Sequence, residues 1–167
     1  MNRKTLFIVT TLLLGQIATH AAATETRLIE EVVVIGSKDK VYEIPGSGAL
    51  LDESDLDKFD HVDLGKILES VPGVYIREED GYGLRPNIGI RGATTDRSQK
   101  ITIMEDGVLI TPAPYSAPAA YYVPNISRIA AIEVLKGPSA IQHGPHTVGG
   151  AINFVTKRTP DKTLGEL

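Results

Sequence analysis

Apolar and polar residues alternate along this chain in short blocks, which predict brief helices and strands rather than long ones. One helical face is clear, because apolar residues recur at i, i+3, i+4 and i+7 as Leu64, Ile67, Leu68 and Val71. Asp63 is placed to cap this helix, and Pro72-Gly73 to end it. The pattern also predicts an acidic helix over 52–59 and a short helix over 124–129.

Short apolar runs bounded by turn residues predict strands at 32–35, 74–76, 87–91, 101–104, 108–110, 132–135 and 152–156. Asp106-Gly107 lies between two of these runs, which is a strong hairpin signal. Segment 38–51 is predicted to be a loop because it contains Pro45, Gly46 and Gly48. This order of strands and helices predicts an α+β fold with a mixed four-to-five-stranded sheet.

Three predicted loops, at 78–86, 93–99 and 111–123, are long for a domain of this size. Long loops on a compact scaffold often carry function. Segment 111–124 contains four prolines and three tyrosines. Tyrosine favours binding because it offers a flat apolar body with a polar tip.

The first 23 residues have the layout of a secretory signal peptide. Arg3 and Lys4 form a short basic region, 6–14 is apolar, and Ala21 and Ala23 form a small-x-small cleavage signal. The alternative is a membrane-spanning helix, but Thr, Gly, Gln and His interrupt the uncharged stretch. The pattern therefore predicts an exported protein.

Composition narrows the possible chemistry. The 167 residues are 42% hydrophobic, contain no cysteine and carry a net charge of −4. The acidic balance argues against nucleic acid as a partner, and the absence of cysteine rules out a disulfide scaffold and Cys-based zinc sites within these residues. No catalytic motif of the G-x-S-x-G or phosphate-loop type occurs, so we expect neither an enzyme nor a cofactor.

Two stretches resemble metal sites at first sight. The acidic run 52–60 lacks the central glycine and terminal Glu of a calcium loop, so a solvated helix face is favoured. His143 and His146 could chelate a metal only with a third ligand, and the Gly-Pro between them favours a turn. We therefore expect no metal site.

Five motifs in order resemble the plug domain of TonB-dependent outer-membrane receptors. They are LGKILESVPGVYI (64–76), NIGIRG (87–92), ITIMEDGVLI (101–110), ISRIAAIEVLKGPSAIQHGP (126–145) and VGGAINFVTK (148–157). Within that family, RPNIGIRG, TPAPYSAPAAYY and HGPHTVGGAINFVTK are most similar to the ferric dicitrate-type receptors. The resemblance implies a plug domain with short helices and long apical loops.

The resemblance also implies an energy-coupling segment, the TonB box, near the mature N-terminus. EEVVVIG matches it, so the expected residues are Glu30, Glu31, Val32, Val33, Val34, Ile35 and Gly36. An unpaired β-branched strand can add to the edge of a partner's sheet, here that of TonB. The alternative is that 32–35 is an edge strand of the domain itself.

Two further groups of residues take their expected roles from the resemblance. Arg91 and Lys136 occupy the positions that pair with carboxylates of the receptor's barrel; the alternative is two ordinary surface cations. The apical loops imply a ligand site formed by Asp80, Tyr82, Arg85, Tyr115, Ser116, Tyr121 and Tyr122. The tyrosines either line this pocket or pack locally. Ala117 stands where dicitrate receptors carry Gln, so the expected ligand is a ferric chelate such as iron citrate or another siderophore.

The expected domains are a signal peptide (1–23), a flexible segment with the TonB box (24–40), the plug (41–157) and the start of a linker to a barrel (158–167). The resemblance implies a 22-stranded barrel around the plug; such a barrel needs more than ~200 residues, so it is expected to be absent from this chain. We expect the gate and ligand-sensing domain of an outer-membrane receptor, as a fragment of the full transporter. The alternatives are a free-standing periplasmic plug that acts as a binding module, and an inactive gene remnant.

Overall fold

The computed structural model of the protein describes residues 34–58, 63–82, 86–110 and 122–159. It contains seven strands in these ranges: β1 Ser47–Leu51, β2 Val74–Glu78, β3 Pro86–Ile90, β4 Ile101–Glu105, β5 Val108–Leu109, β6 Ile129–Lys136 and β7 Gly150–Thr156. The same ranges contain two α-helices, α1 Glu53–Asp57 and α2 Leu64–Glu69. They also contain four 3-10 helices, which span Asp39–Tyr42, Asp96–Ser98, Ile126–Arg128 and Pro138–His143.

Five of the strands form one sheet in the order β1-β6-β7-β4-β5. Only the β4–β7 pair in it is parallel, so the predicted mixed sheet is confirmed. The predicted hairpin is also confirmed, because β4 and β5 are joined by Asp106 (φ 50°) and Gly107 (φ 73°). Two consecutive positive φ values are characteristic of the type I′ turn, for which Asp-Gly is well suited. Strands β2 and β3 form a separate antiparallel ribbon.

Both helices begin at an aspartate cap, and the predicted cap Asp63 is confirmed. Asp52 and Asp55 form a reciprocal capping box at the start of α1, so the acidic residues there satisfy free backbone N–H groups. The Asp63 carboxylate accepts a hydrogen bond of 2.7 Å from the Gly65 N–H at the start of α2. Phe59, in the predicted helix 52–59, lies outside the described residues. Within the described ranges, no helix is long and apolar enough to cross a membrane.

The five-stranded sheet buries side chains on both faces, because successive residues of a strand point to opposite sides. The first face carries the larger cluster and packs against residues of both helices, with members that include Ile103, Leu68, Ile132, Ile152 and Phe154. The second face carries a smaller cluster that consists of Ile35, Met104, Leu135, Ala140 and Ala151. The residues before β1 therefore cover one side of the sheet.

The prediction of a loop over 38–51 is wrong for much of its length. Residues Asp39–Tyr42 form a 3-10 helix, and β1 pairs with β6 along the edge of the main sheet. Gly48 lies in this strand not for a turn but for space: a Cβ there would be 2.6 Å from Cδ1 of Ile44 and 3.1 Å from the Val134 carbonyl oxygen. The sequence does not distinguish a glycine required by close packing from one required by a turn, and this is why a loop was predicted here.

Gly150→Ala tests how closely β6 and β7 approach each other. An added Cβ would lie 2.4 Å from the Leu135 carbonyl oxygen, a backbone atom that cannot move aside without disturbing the sheet. We expect the free energy of unfolding, measured by urea denaturation, to fall by about 1–3 kcal/mol. Gly81→Ala is the matched control, because a Cβ there meets nothing within 4 Å. An equal effect of the two variants would contradict the packing argument.

Candidate functional site

The most unusual group on the second face of the sheet is a carboxylate with no exposed surface, that of Glu133 in β6. It accepts hydrogen bonds from three consecutive backbone N–H groups: Val34 at 2.8 Å, Ile35 at 2.6 Å and Gly36 at 3.0 Å. Three successive amides that converge on one anion form a nest, and Gly36 supplies the positive φ (80°) found in such turns. The N-terminal segment is thus attached to the sheet by one side chain.

A fourth donor completes the surroundings of Glu133. Asn153 lies directly opposite it in the register of β6 and β7, and its Nδ2 donates to Oε2 of Glu133 at 2.8 Å. Oδ1 of the same amide accepts from the Gly107 N–H at 2.9 Å, which fixes the orientation of the amide. Four donors around two oxygens suit an ionised carboxylate, because it only accepts hydrogen bonds.

Ile35 adds an apolar contact to this polar attachment. Its side chain is 2% exposed and packs in the cluster of Met104, Leu135 and the two alanines of the second face. Burying an isoleucine side chain contributes about 1.5–3 kcal/mol. The segment 34–36, which we call the docked segment, is therefore held by both a buried anion and a buried side chain.

The predicted strand at 32–35 is wrong for Val34 and Ile35, which form a bend rather than a strand. Their N–H groups bond to a side chain, so neither residue pairs with a neighbouring strand. The alternative of an edge strand of the domain fails at these two residues for the same reason. The other expected TonB-box residues, Glu30, Glu31, Val32 and Val33, lie outside the described residues.

Arg91 and Lys136 lie close together in the structure. Arg91 follows β3 and donates from Nη2 to the Ser47 hydroxyl at 2.9 Å, with its guanidinium over Gly137. Lys136 ends β6, is 7% exposed, and donates from Nζ to the Pro72 carbonyl at 2.9 Å. Among the residues that the structure describes, no carboxylate forms an ion pair with either cation.

The electrostatic effect of this arrangement is clearest at Lys136. Burial lowers the pKa of its ammonium group below the ordinary value, and the neighbouring Arg91 charge lowers it further. Both influences disfavour the charged form of Lys136. An anion placed beside these two residues, which we call the cation pair, would favour the charged form of Lys136 instead.

The expected ligand residues are only partly described. Tyr82 is 85% exposed, in a turn where its N–H donates to Oδ1 of Asp80. Tyr122 donates from its hydroxyl to Oε2 of Glu105 at 2.7 Å and accepts from Arg128 at 2.5 Å. Burial and the Glu105 carboxylate raise the pKa of Tyr122 above its ordinary value. These local contacts of Tyr122 match the alternative of local packing. Arg85, Tyr115, Ser116 and Tyr121 lie outside the described residues.

His143 ends the 3-10 helix Pro138–His143, and His146 lies in the turn that follows. Burial lowers the pKa of His143, and its Nε2 is buried without a hydrogen-bond partner among the described residues. No group of three or more His, Asp or Glu side chains suited to a metal ion occurs in the described part of the chain.

The sequence analysis missed Glu133 and Asn153. The available signal was a single acidic residue inside the apolar strand IAAIEVLK and a single amide inside GAINFVT. A polar residue flanked on both sides by core residues has to meet a partner inside the protein. The identity of that partner could not be read from the pattern.

Solved structures with this fold are those of transporters and receptors. The ferric citrate transporter FecA in its unliganded form is 30% identical, with a TM-score of 0.67 over 77% of this chain and 20% of that one. The siderophore receptor PirA from Pseudomonas aeruginosa is 29% identical, with a TM-score of 0.52 over 71% of this chain and 20% of that one. The PirA of Acinetobacter baumannii shares the fold at 24% identity, with a TM-score of 0.56 over 78% and 20% of the two chains.

The family model described as TonB-dependent Receptor Plug Domain matches residues 40–151. The chain therefore belongs to the TonB-dependent receptor plug domains, as the five motifs indicated. It spans about a fifth of the length of the receptors that it matches.

Lys136→Met tests the electrostatics of the cation pair. Because folding lowers the Lys136 pKa, the unfolded chain holds more protons than the folded protein between the lowered pKa and 10.5. We expect the wild-type free energy of unfolding, relative to that of Lys136→Met, to rise with pH in this window. Urea denaturation at a series of pH values measures it. Lys100→Met, at an exposed lysine, is the control. If the difference in free energy of unfolding between wild type and Lys136→Met does not change with pH, the prediction is contradicted.

Proposed function

We propose that this chain is the gate and ligand-sensing domain of an outer-membrane receptor that takes up a ferric chelate, such as iron citrate or another siderophore. The observation that carries the proposal is the 30% identity to a ferric citrate transporter over 77% of this chain. The 29% identity to the siderophore receptor PirA from Pseudomonas aeruginosa supports the same ligand class. In this role the chain binds the chelate and gates the receptor, and it catalyses no reaction.

The cation pair supports placement of the domain inside a barrel. Arg91 and Lys136 lie side by side, and burial and the Arg91 charge both disfavour charged Lys136. Carboxylates on the inner wall of a barrel would supply the missing anions. Such charge-assisted contacts would orient the plug in its barrel.

The docked segment supports a role for the residues in front of it in energy coupling. Val34, Ile35 and Gly36 are held on the sheet by Glu133, and they are the last residues of the expected TonB box. We propose that TonB captures residues 30–36 by strand addition, in which backbone hydrogen bonds give affinity and alternate side chains give specificity. Chelate binding would favour capture only if the chelate binds one plug state better than another.

Val33→Pro tests the assignment of the TonB box. Proline removes a backbone donor and disfavours strand pairing, so we expect the variant of the complete receptor to lose TonB-dependent uptake. The measurement is uptake of radiolabelled ferric citrate and of a panel of ferric siderophores by cells that depend on this receptor. Val33→Thr is the control, because it keeps the donor and the branched Cβ. Normal uptake by the proline variant would refute the assignment.

Arg91→Glu tests the barrel contact of the cation pair. A carboxylate at this position would face the proposed barrel carboxylates, and like charges held close together repel. We expect trypsin to cleave plug residues of the complete receptor about fivefold faster or more. This estimate assumes that the charge reversal weakens plug–barrel association by ~1 kcal/mol or more.

Arg77→Glu is the matched control for that experiment, since it reverses an exposed arginine in β2. Equal protease sensitivity of the two variants would show that Arg91 is an ordinary surface cation.

A further inference from the structure

The buried carboxylate of Glu133 holds a segment that must be available to a partner if the proposed function is correct. We propose that Glu133, positioned by Asn153, is a latch that keeps the docked segment on the sheet and controls the release of this segment. The inference rests on the proposed function for its consequence, capture by TonB. Its structural content, a carboxylate that holds three amides, can be tested without that partner.

The contacts suit a latch because they depend on one side chain and on backbone atoms. The Glu133 carboxylate accepts hydrogen bonds from the backbone N–H groups of Val34, Ile35 and Gly36. It therefore recognises the backbone conformation of the segment rather than its side chains. These partners are 97–99 residues away in sequence. A change at Glu133 therefore acts on the N-terminal segment without altering that segment.

Release of the docked segment would leave the sheet intact. The register of β6 and β7 continues on both sides of Glu133, with Ile132 opposite Phe154 and Val134 opposite Ile152. On release, water can hydrate both the carboxylate and the three amides, so the loss that remains is the burial of Ile35 and Val34 against the cluster of the second face. Segments of this kind open locally at lower free energy than the global transition.

Asn153 positions the carboxylate and links it to the β4–β5 turn. Gly107 donates to Oδ1 of Asn153, which directs Nδ2 of the amide at Glu133. The turn is itself anchored to β7, because Asp106 accepts from the Thr156 N–H at 2.8 Å and from its hydroxyl at 2.6 Å. The latch thus has a rigid base on the sheet and a movable partner in the docked segment.

Hydrogen exchange of the complete protein that carries this chain tests the latch directly. Glu133→Gln keeps the shape of the side chain but replaces one acceptor oxygen by an NH₂ group, which would face backbone donors. We expect the amides of Val34, Ile35 and Gly36 to exchange about tenfold faster or more. The amides of β6 and β7 should stay protected.

Glu105→Gln is the matched control, because it removes a carboxylate from the same sheet that contacts Arg128 and Tyr122 instead. We expect this variant to leave the exchange rates of the docked-segment amides unchanged. Unchanged exchange at these amides in Glu133→Gln, or an equal rise in the control, overturns the proposal.

Gly36→Ala is a second test of the latch, for the case that Glu133→Gln also increases exchange in β6 and β7. Alanine is strained at φ 80°, so the nest is distorted while Glu133 and the core remain. We expect faster exchange at the docked segment alone; protection equal to wild type would overturn the latch. Because exchange requires neither TonB nor chelate, this result is independent of the uptake result for Val33→Pro.

Discussion

A carboxylate without exposed surface has to find its hydrogen-bond donors inside the protein, and this requirement organises one face of the sheet. Glu133 stands in the middle of β6 with core residues on both sides, so it cannot turn towards solvent. Without the docked segment and Asn153, burial of the charge would be strongly unfavourable. The N-terminal residues, the β4–β5 turn and β7 are therefore tied to one another through a single acidic group.

The cation pair shows the opposite situation. Arg91 and Lys136 find a hydroxyl and a carbonyl among the described residues but no carboxylate ion pair. One buried charge in this domain is thus matched internally, whereas the cation pair has no carboxylate partner among the described residues.

Local information in the sequence predicted the elements whose signals are local. Asp63 and the apolar spacing located α2, and Asp106-Gly107 located the hairpin, because a cap and a tight turn each depend on a few adjacent residues. Strand β1 was missed because Gly48 serves packing against Ile44 and β6. The latch was missed because its donors and acceptor are 97–99 residues apart, a separation that no periodicity describes.

The place of β7 in the sheet has a consequence for the order of folding. This strand is the last described in the chain, yet it lies between β6 and β4 and pairs with both. Until residues 150–156 are available, β4 and β6 have no common neighbour, and Glu133 has no Asn153 opposite it. A chain that emerges N-terminus first therefore stays without its central strand until synthesis of the domain is nearly complete. Such a delay keeps the five-stranded sheet from closing before this strand has been made.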